Sequence, residues 1–367
     1  MNTANACAVV LWIGVMLYSV LGGADFGAGF WDLTAGGTER GRRPRALIDR
    51  AISPVWEANH VWLVFVLVTL WTAFPPAFAA DLSTLFIPLT LAALGIVMRG
   101  SSFAFRKVSV RLGVQRAWGA VFALSSVLTP FFLGAALGGI ASGRVPPGNE
   151  AGDIVTSWAN PTSAMIGALA VAACAYLASV YLIADARRLG DPELEGYFER
   201  RALGSGIVAG ALAIGGIFVL RSDASYIYGR LVHEALPLVV LSGVFGVAVL
   251  VLIFIHRHPF EGRLGTLGIR LLAAGAVAAV IWAWGVAQWP YLLPTTLTVS
   301  QGAGDSATLS WVLGVFGIAL VTVIPSLAFL FVLDHRSRLE EEGEGTLGAE
   351  RFGGGMEGPT TGGSGYG

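Results

Sequence analysis

Two carboxylates stand where carboxylates are expensive. Asp25 lies near the end of the first long apolar run, in Gly22-Gly23-Ala24-Asp25-Phe26-Gly27-Ala28-Gly29-Phe30-Trp31-Asp32. Glu57 opens the second, in Ser53-Pro54-Val55-Trp56-Glu57-Ala58-Asn59-His60-Val61-Trp62-Leu63. An ionisable group inside a membrane helix is costly and commonly marks an ion or proton route. With a rise of about 1.5 Å per residue, Asp25 is roughly 12 Å from the end of its span and Glu57 roughly 8 Å from the start of the next. The two acids are therefore expected at similar depth on consecutive antiparallel helices. His60, three residues beyond Glu57, shares its helix face one turn deeper. Asp25, Glu57 and His60 are thus expected to form a chain of protonatable groups, with Arg99 placed to pair with either carboxylate. The plainer alternative is structural: acids that fix helix packing and a satisfied core histidine.

The remaining polar groups read as ordinary. Asp32 and Asp81 lie close enough to span ends to be expected in solvent. His233 and Glu234 fall at a helix end, and His256 and His258 flank Arg257, where contacts with lipid headgroups account for them. A b-type haem needs two axial ligands at suitable depth. Only His60 of five histidines lies well inside a span, and Met16, Met98 and Met165 have no histidine at matching spacing, which argues against haem held by this chain alone. Cys7 and Cys174 lack metal-ligand spacing, and two cysteines make no disulfide framework. The glycine-rich runs lie in apolar helices, where they allow close helix approach rather than phosphate binding.

The elements that position these residues follow from composition. Of 367 residues, 55% are hydrophobic and 13% charged, with a mean hydropathy of +0.70. About 25% charged residues is usual for a soluble domain, so soluble enzymes, disordered proteins and nucleic-acid binders are set aside. The expected fold is an all-α, polytopic integral membrane protein. A bilayer crossing takes about 20 helical residues. The apolar runs give nine spans, at about 8–33, 52–73, 80–99, 118–140, 162–184, 203–220, 234–256, 269–289 and 309–333, with a turn at Phe74-Pro75-Pro76. The first run has no basic flank before it and is expected to be retained as a span.

Alternate loops and the tail hold 20 of the 23 Lys and Arg; the others hold Arg144, Arg221 and Arg230. Basic loops stay cytoplasmic, so the N-terminus is expected outside and the C-terminus inside. Residues 290–308 read as a loop on the outer surface. The expected domains are a transmembrane domain, 1–338, and a disordered acidic and glycine-rich tail, 339–367.

The chain resembles subunit II of the cytochrome bd-type quinol oxidases. Gly23 to Gly29, Pro54 to Leu63, Phe74-Pro75, Arg99-Gly100, Phe103 to Arg106, Trp289 to Pro294 and Asp305 to Leu309 carry the resemblance. It implies a nine-helix subunit, pseudo-symmetric with a homologous subunit I that carries two haems b, one haem d and the quinol site. The complex would oxidise quinol at the outer side of a prokaryotic plasma membrane and reduce oxygen to water with cytoplasmic protons. Subunit II would scaffold it and supply Asp25 and Glu57 to the proton path. Some members also hold a structural quinone in this subunit, and a small accessory subunit occurs as a further partner. The chain departs from the family in three places. An earlier acid, from an Asp-Gly-Phe-Asp pattern, is replaced within Gly22-Gly23-Ala24-Asp25; Glu57 often stands as Asp; and His60 often stands as Gln. A rival reading is a proton-coupled secondary transporter, which usually has broken helices at corresponding positions of both halves. Here the acids are confined to the first two spans.

Overall fold

The computed structural model describes residues 2–37, 39–52, 56–108, 112–255, 263–323, 325, 326 and 329, and omits the side chains of 52, 56–58, 103, 106–108, 112, 115 and 263–266. The first span is α1 (Thr3–Leu17), a π-helical turn (Tyr18–Gly22) and α2 (Gly23–Leu33). A short amphipathic helix, α3 (Arg42–Ile52), precedes α4 (Trp56–Ala73). Then come α5 (Pro75–Thr84), α6 (Phe86–Val108), α7 (Leu112–Ala141), α8 (Pro161–Arg188) and α9 (Pro192–Asp223). The helices α10 (Ser225–His233), α11 (Leu236–Ile255) and α12 (Arg263–Gln288) lead to β1 (Tyr291–Leu293), β2 (Leu297–Thr298), α13 (Val299–Gly302) and α14 (Ser306–Val323).

Among the described residues, length and apolarity qualify seven helices as spans, or eight if the bent pair α4–α5 is taken as one, against the nine expected. The expected third span, 80–99, is divided. Phe74 breaks the chain and Pro75 starts a new helix at N1, where its missing N–H costs nothing. The bend between α4 and α5 is 120°, so residues 80–84 belong to a helix that turns away, and the apolar run Phe86–Ser102 is shorter than the other spans.

The chain divides at Gly314 into two units, the first being 1–314 and the second beginning at Val315, where the described residues end at 329. Within the first, Leu177, Leu182, Ile183, Phe198 and Ile48 centre one core among α2, α3, α8 and α9. Glycine at position 27 brings α2 onto α8: a Cβ there would overlap the Cys174 carbonyl. Trp31 secures the same pair, donating from Nε1 to the Ala175 carbonyl at 2.8 Å.

Residues 290–308 are more ordered than a surface loop. β1 and β2 pair antiparallel, and Leu293, Leu297 and Val299 are buried. The Gly304 N–H donates to the Ala73 carbonyl at 2.9 Å, tying this segment to the end of α4. His256, His258 and the tail from residue 339 lie outside the described residues.

Candidate functional site

The π-helical turn immediately precedes the Gly23-Ala24-Asp25 stretch. Such single turns insert one residue into the helix ladder and re-aim the side chains beyond it, and they are frequent at functional sites. Asp25, in the first turn of α2, is 5% exposed. Its Oδ2 accepts a hydrogen bond from Asn59 Nδ2 at 2.5 Å, and the same amide lies 3.3 Å from the Leu21 carbonyl. One α4 side chain thus binds both the carboxylate and a carbonyl of the π turn.

Arg99 completes the site from α6. It is 1% exposed, the bulkiest of the fully buried side chains. Its Nη2 donates to the main-chain carbonyl of Asp25 at 2.9 Å and its Nη1 to Ser126 Oγ at 2.5 Å. The guanidinium also lies over the rings of Phe26, at 5.0 Å, and Phe122, at 4.7 Å. Among the described residues it forms no ion pair with the Asp25 carboxylate. The pairing expected with Asp25 is corrected, while that with Glu57 falls outside the described side chains: Arg99 grips the backbone at Asp25 and α7 through Ser126, so its charge is close by while the carboxylate is left to Asn59.

His60 packs edge-on against Tyr18, at 6.1 Å, and Phe26, at 6.0 Å. The carboxylate is therefore met by the residue before His60 in the chain. The side chain of Glu57 lies outside the described residues, although its backbone continues α4. Asn59 and Ser126 carry no sequence signal of their roles. Asn59 stands beside His60 in the Pro54 to Leu63 stretch, but an amide gives no spacing signal; Ser126 is one hydroxyl in an apolar helix.

Both acids expected in solvent are buried. Asp32 is 4% exposed and pairs with Arg45 of α3, Nε to Oδ1, at 2.9 Å, because α3 folds back beneath the span end. Asp81 is 7% exposed because the turn at Pro75 carries α5 into the protein, and its Oδ1 has no hydrogen-bond partner. Asp81 lines a cavity of about 390 Å³, bounded by Trp12, Trp282, Trp284, Trp289 and Gln288 among others. Trp282 Nε1 donates to Met16 Sδ at 3.2 Å, whereas Trp284 Nε1 and Gln288 Oε1 have no partner. At the same end, His233 and Glu234 are exposed and Glu234 pairs with Arg230.

A bundle of long apolar helices with a buried acid beside a π turn defines a polytopic membrane protein, and comparison with known proteins specifies it further. The family model described as cytochrome bd terminal oxidase subunit II matches residues 3–333, and the chain belongs to that family. A protein named for cytochrome bd menaquinol oxidase subunit II, from Bacillus subtilis (strain 168), is 23% identical over 341 residues, 91% of this chain and 96% of the relative. Cytochrome bd-I ubiquinol oxidase subunit 2 of Escherichia coli (strain K12) is 27% identical over 135 residues, 36% of this chain and 35% of the relative. The bd oxidase structure from Geobacillus thermodenitrificans superposes with a TM-score of 0.73 at 27% identity, covering 91% of this chain and 98% of that one. The protein is thus a subunit of a quinol oxidase, an oxidoreductase complex of the prokaryotic plasma membrane with a partner subunit I. The transporter reading gives way to this family membership.

Proposed function

We propose that this subunit scaffolds the haem-bearing subunit I and carries protons from the cytoplasm toward it through Asp25, with Glu57 as a second acid and His60 and Arg99 in support. The observation that carries this reading is the environment of Asp25. A carboxyl buried in a span, held by one amide and set beside a guanidinium committed to other partners, is free to gain and lose a proton without dismantling its surroundings. Arg99 keeps a positive charge near the anion, which limits the cost of burying it. The basic loops set this end of the bundle on the cytoplasmic side, with the N-terminus outside.

Haems b and d, and the oxygen chemistry they supply, are assigned to the partner subunit. On this chain, His60 packs edge-on against Tyr18 and Phe26, and Met16 is engaged by Trp282. A structural quinone in this subunit would suit the cavity at the opposite end. Its tryptophan and aliphatic walls match a ring and prenyl chain, and the unpartnered Trp284 N–H would donate to a ring carbonyl. Relatives are named for both menaquinol and ubiquinol, so quinol type is left to measurement.

The test is Asp25→Asn in the purified complex. Oxygen consumption should fall on the order of 100-fold, the loss typical of removing a positioned proton-transfer group, with the haem spectrum retained. Full oxygen consumption with an intact spectrum would overturn the proposal.

A further inference from the structure

We infer that Asp32, held by Arg45, is the intake station of the proton path, two helix turns below Asp25. This rests on the proton-path reading and extends it to a residue whose position in the sequence suggested only a solvated span end. Asp25 and Asp32 are seven residues apart in α2, which places them on one helix face about 10 Å apart along the axis. Asp32 is buried, but Arg45, which binds it, is 27% exposed at its side chain, so the pair bridges solvent and interior. Arg45 is itself fixed in place: Nη2 donates to the Gly36 carbonyl at 2.6 Å and reaches the Asp32 carbonyl at 3.4 Å.

Between the two acids on that face stands Gly29. A Cβ at this position would fall on the Ser126 hydroxyl and come within 3.1 Å of Arg99 Nη1. Because Gly29 has no side chain, these two polar groups lie over α2 in the interval between the carboxylates. The face therefore presents Arg45 and Asp32, then Ser126 with Arg99, then Asp25 and Asn59. Polar groups from four other elements, α3, α4, α6 and α7, converge on one stripe of α2. A purely structural ion pair needs Arg45 and Asp32, but it does not require the polar interval at Gly29.

The step involves protons only. Asp32 takes one from water at the mouth, becoming a neutral carboxyl, and returns to its Arg45-paired anion when Asp25 receives a proton. Only O–H bonds are made and broken, and no oxidant or reductant takes part.

The experiment uses the assembled oxidase and follows proton uptake from the medium during a single round of oxygen reduction. Asp32→Asn should slow uptake about 10-fold per assembled complex, short of the roughly 100-fold that a positioned proton donor commonly supplies, and Asp32→Glu should restore most of it. The solvent deuterium isotope effect should rise in Asp32→Asn, a change that a packing defect would not produce. Unaltered uptake in Asp32→Asn alongside slowed uptake in Asp25→Asn would overturn the intake role and leave the path through Asp25 standing. Unaltered uptake in both would overturn the path itself. If Asp32→Asn yields no complex, Arg45→Gln carries the test: slowed uptake is expected, and wild-type uptake in the assembled complex would refute the role.

Discussion

Asp25 and Asp81 are both buried carboxyl groups set beside a break in a helix, and their surroundings are opposites. Asp25 follows a π turn; its carboxylate accepts from Asn59 and its main-chain carbonyl from Arg99, whose guanidinium is itself held by Ser126 and lies over two aromatic rings. Asp81 follows the 120° bend at Pro75, with Oδ1 unpartnered, on the wall of a cavity lined by tryptophans. The difference teaches that burial alone does not make a relay. A proton needs polar neighbours to move between; a carboxyl with its Oδ1 unpartnered on the wall of a mostly apolar cavity suits a bound guest instead.

The largest test of this contrast is steric. Gly27→Leu would drive a side chain into the Cys174 backbone, and overpacking of this kind costs about 1–3 kcal/mol even where side chains can shift. With backbone in the way, we expect almost no assembled complex. Gly285→Ala, beside the cavity, meets the Trp12 indole rather than backbone at its nearest approach and should assemble with a drop in thermal midpoint, as Trp12 shifts from its hydrogen bond to the Ile281 carbonyl. Equal tolerance at the two glycines would erase the distinction between a closed site and an open one.

A smaller effect is expected from the polar partners. Asn59→Leu strips the Asp25 carboxylate of its side-chain donor, a loss of about 1–3 kcal/mol for a buried group left unsatisfied. Both thermal midpoint and oxygen consumption should fall. Asp81→Leu removes a carboxyl that already lacks a partner at Oδ1, so turnover should persist while tryptophan fluorescence from the cavity changes. A turnover defect in Asp81→Leu matching that of Asn59→Leu would break the comparison.

The smallest effect concerns a cap on the cavity side of the protein. The Asp305 carboxyl is held below the usual carboxylate range, first by the Thr308 hydroxyl and then by the Thr308 N–H. A depressed value contributes stability above the usual carboxylate range, and that contribution is lost as pH falls through the lowered value. Asp305→Ala should therefore lower the thermal midpoint slightly at pH 7, and the difference from wild type should shrink under acid. A difference that grows under acid would contradict the assignment.

Much of this architecture is legible from apolar runs and basic loops, because a bilayer requires long helices and leaves few other solutions. Asp25 is legible for the same reason: a carboxylate in such a run demands an explanation. Its actual partner is not, since Asn59 differs from any polar residue in a helix only by where the helix turns it. The π turn is invisible to periodicity because the first run is apolar on every face and leaves no stripe whose phase an inserted residue would shift. The burial of Asp81 is hidden because proline at a span boundary signals a break without giving the direction of the next helix. The burial of Asp32 is hidden because nothing in residues 34–51 announces that α3 folds back over it.

Infrared difference spectroscopy of the complex between its reduced and oxygen-reacted states addresses Asp25 most directly. A carboxyl C=O band that appears or shifts during turnover and is absent in Asp25→Asn would agree with a proton residing there. An identical set of carboxyl bands in wild type and Asp25→Asn would contradict it.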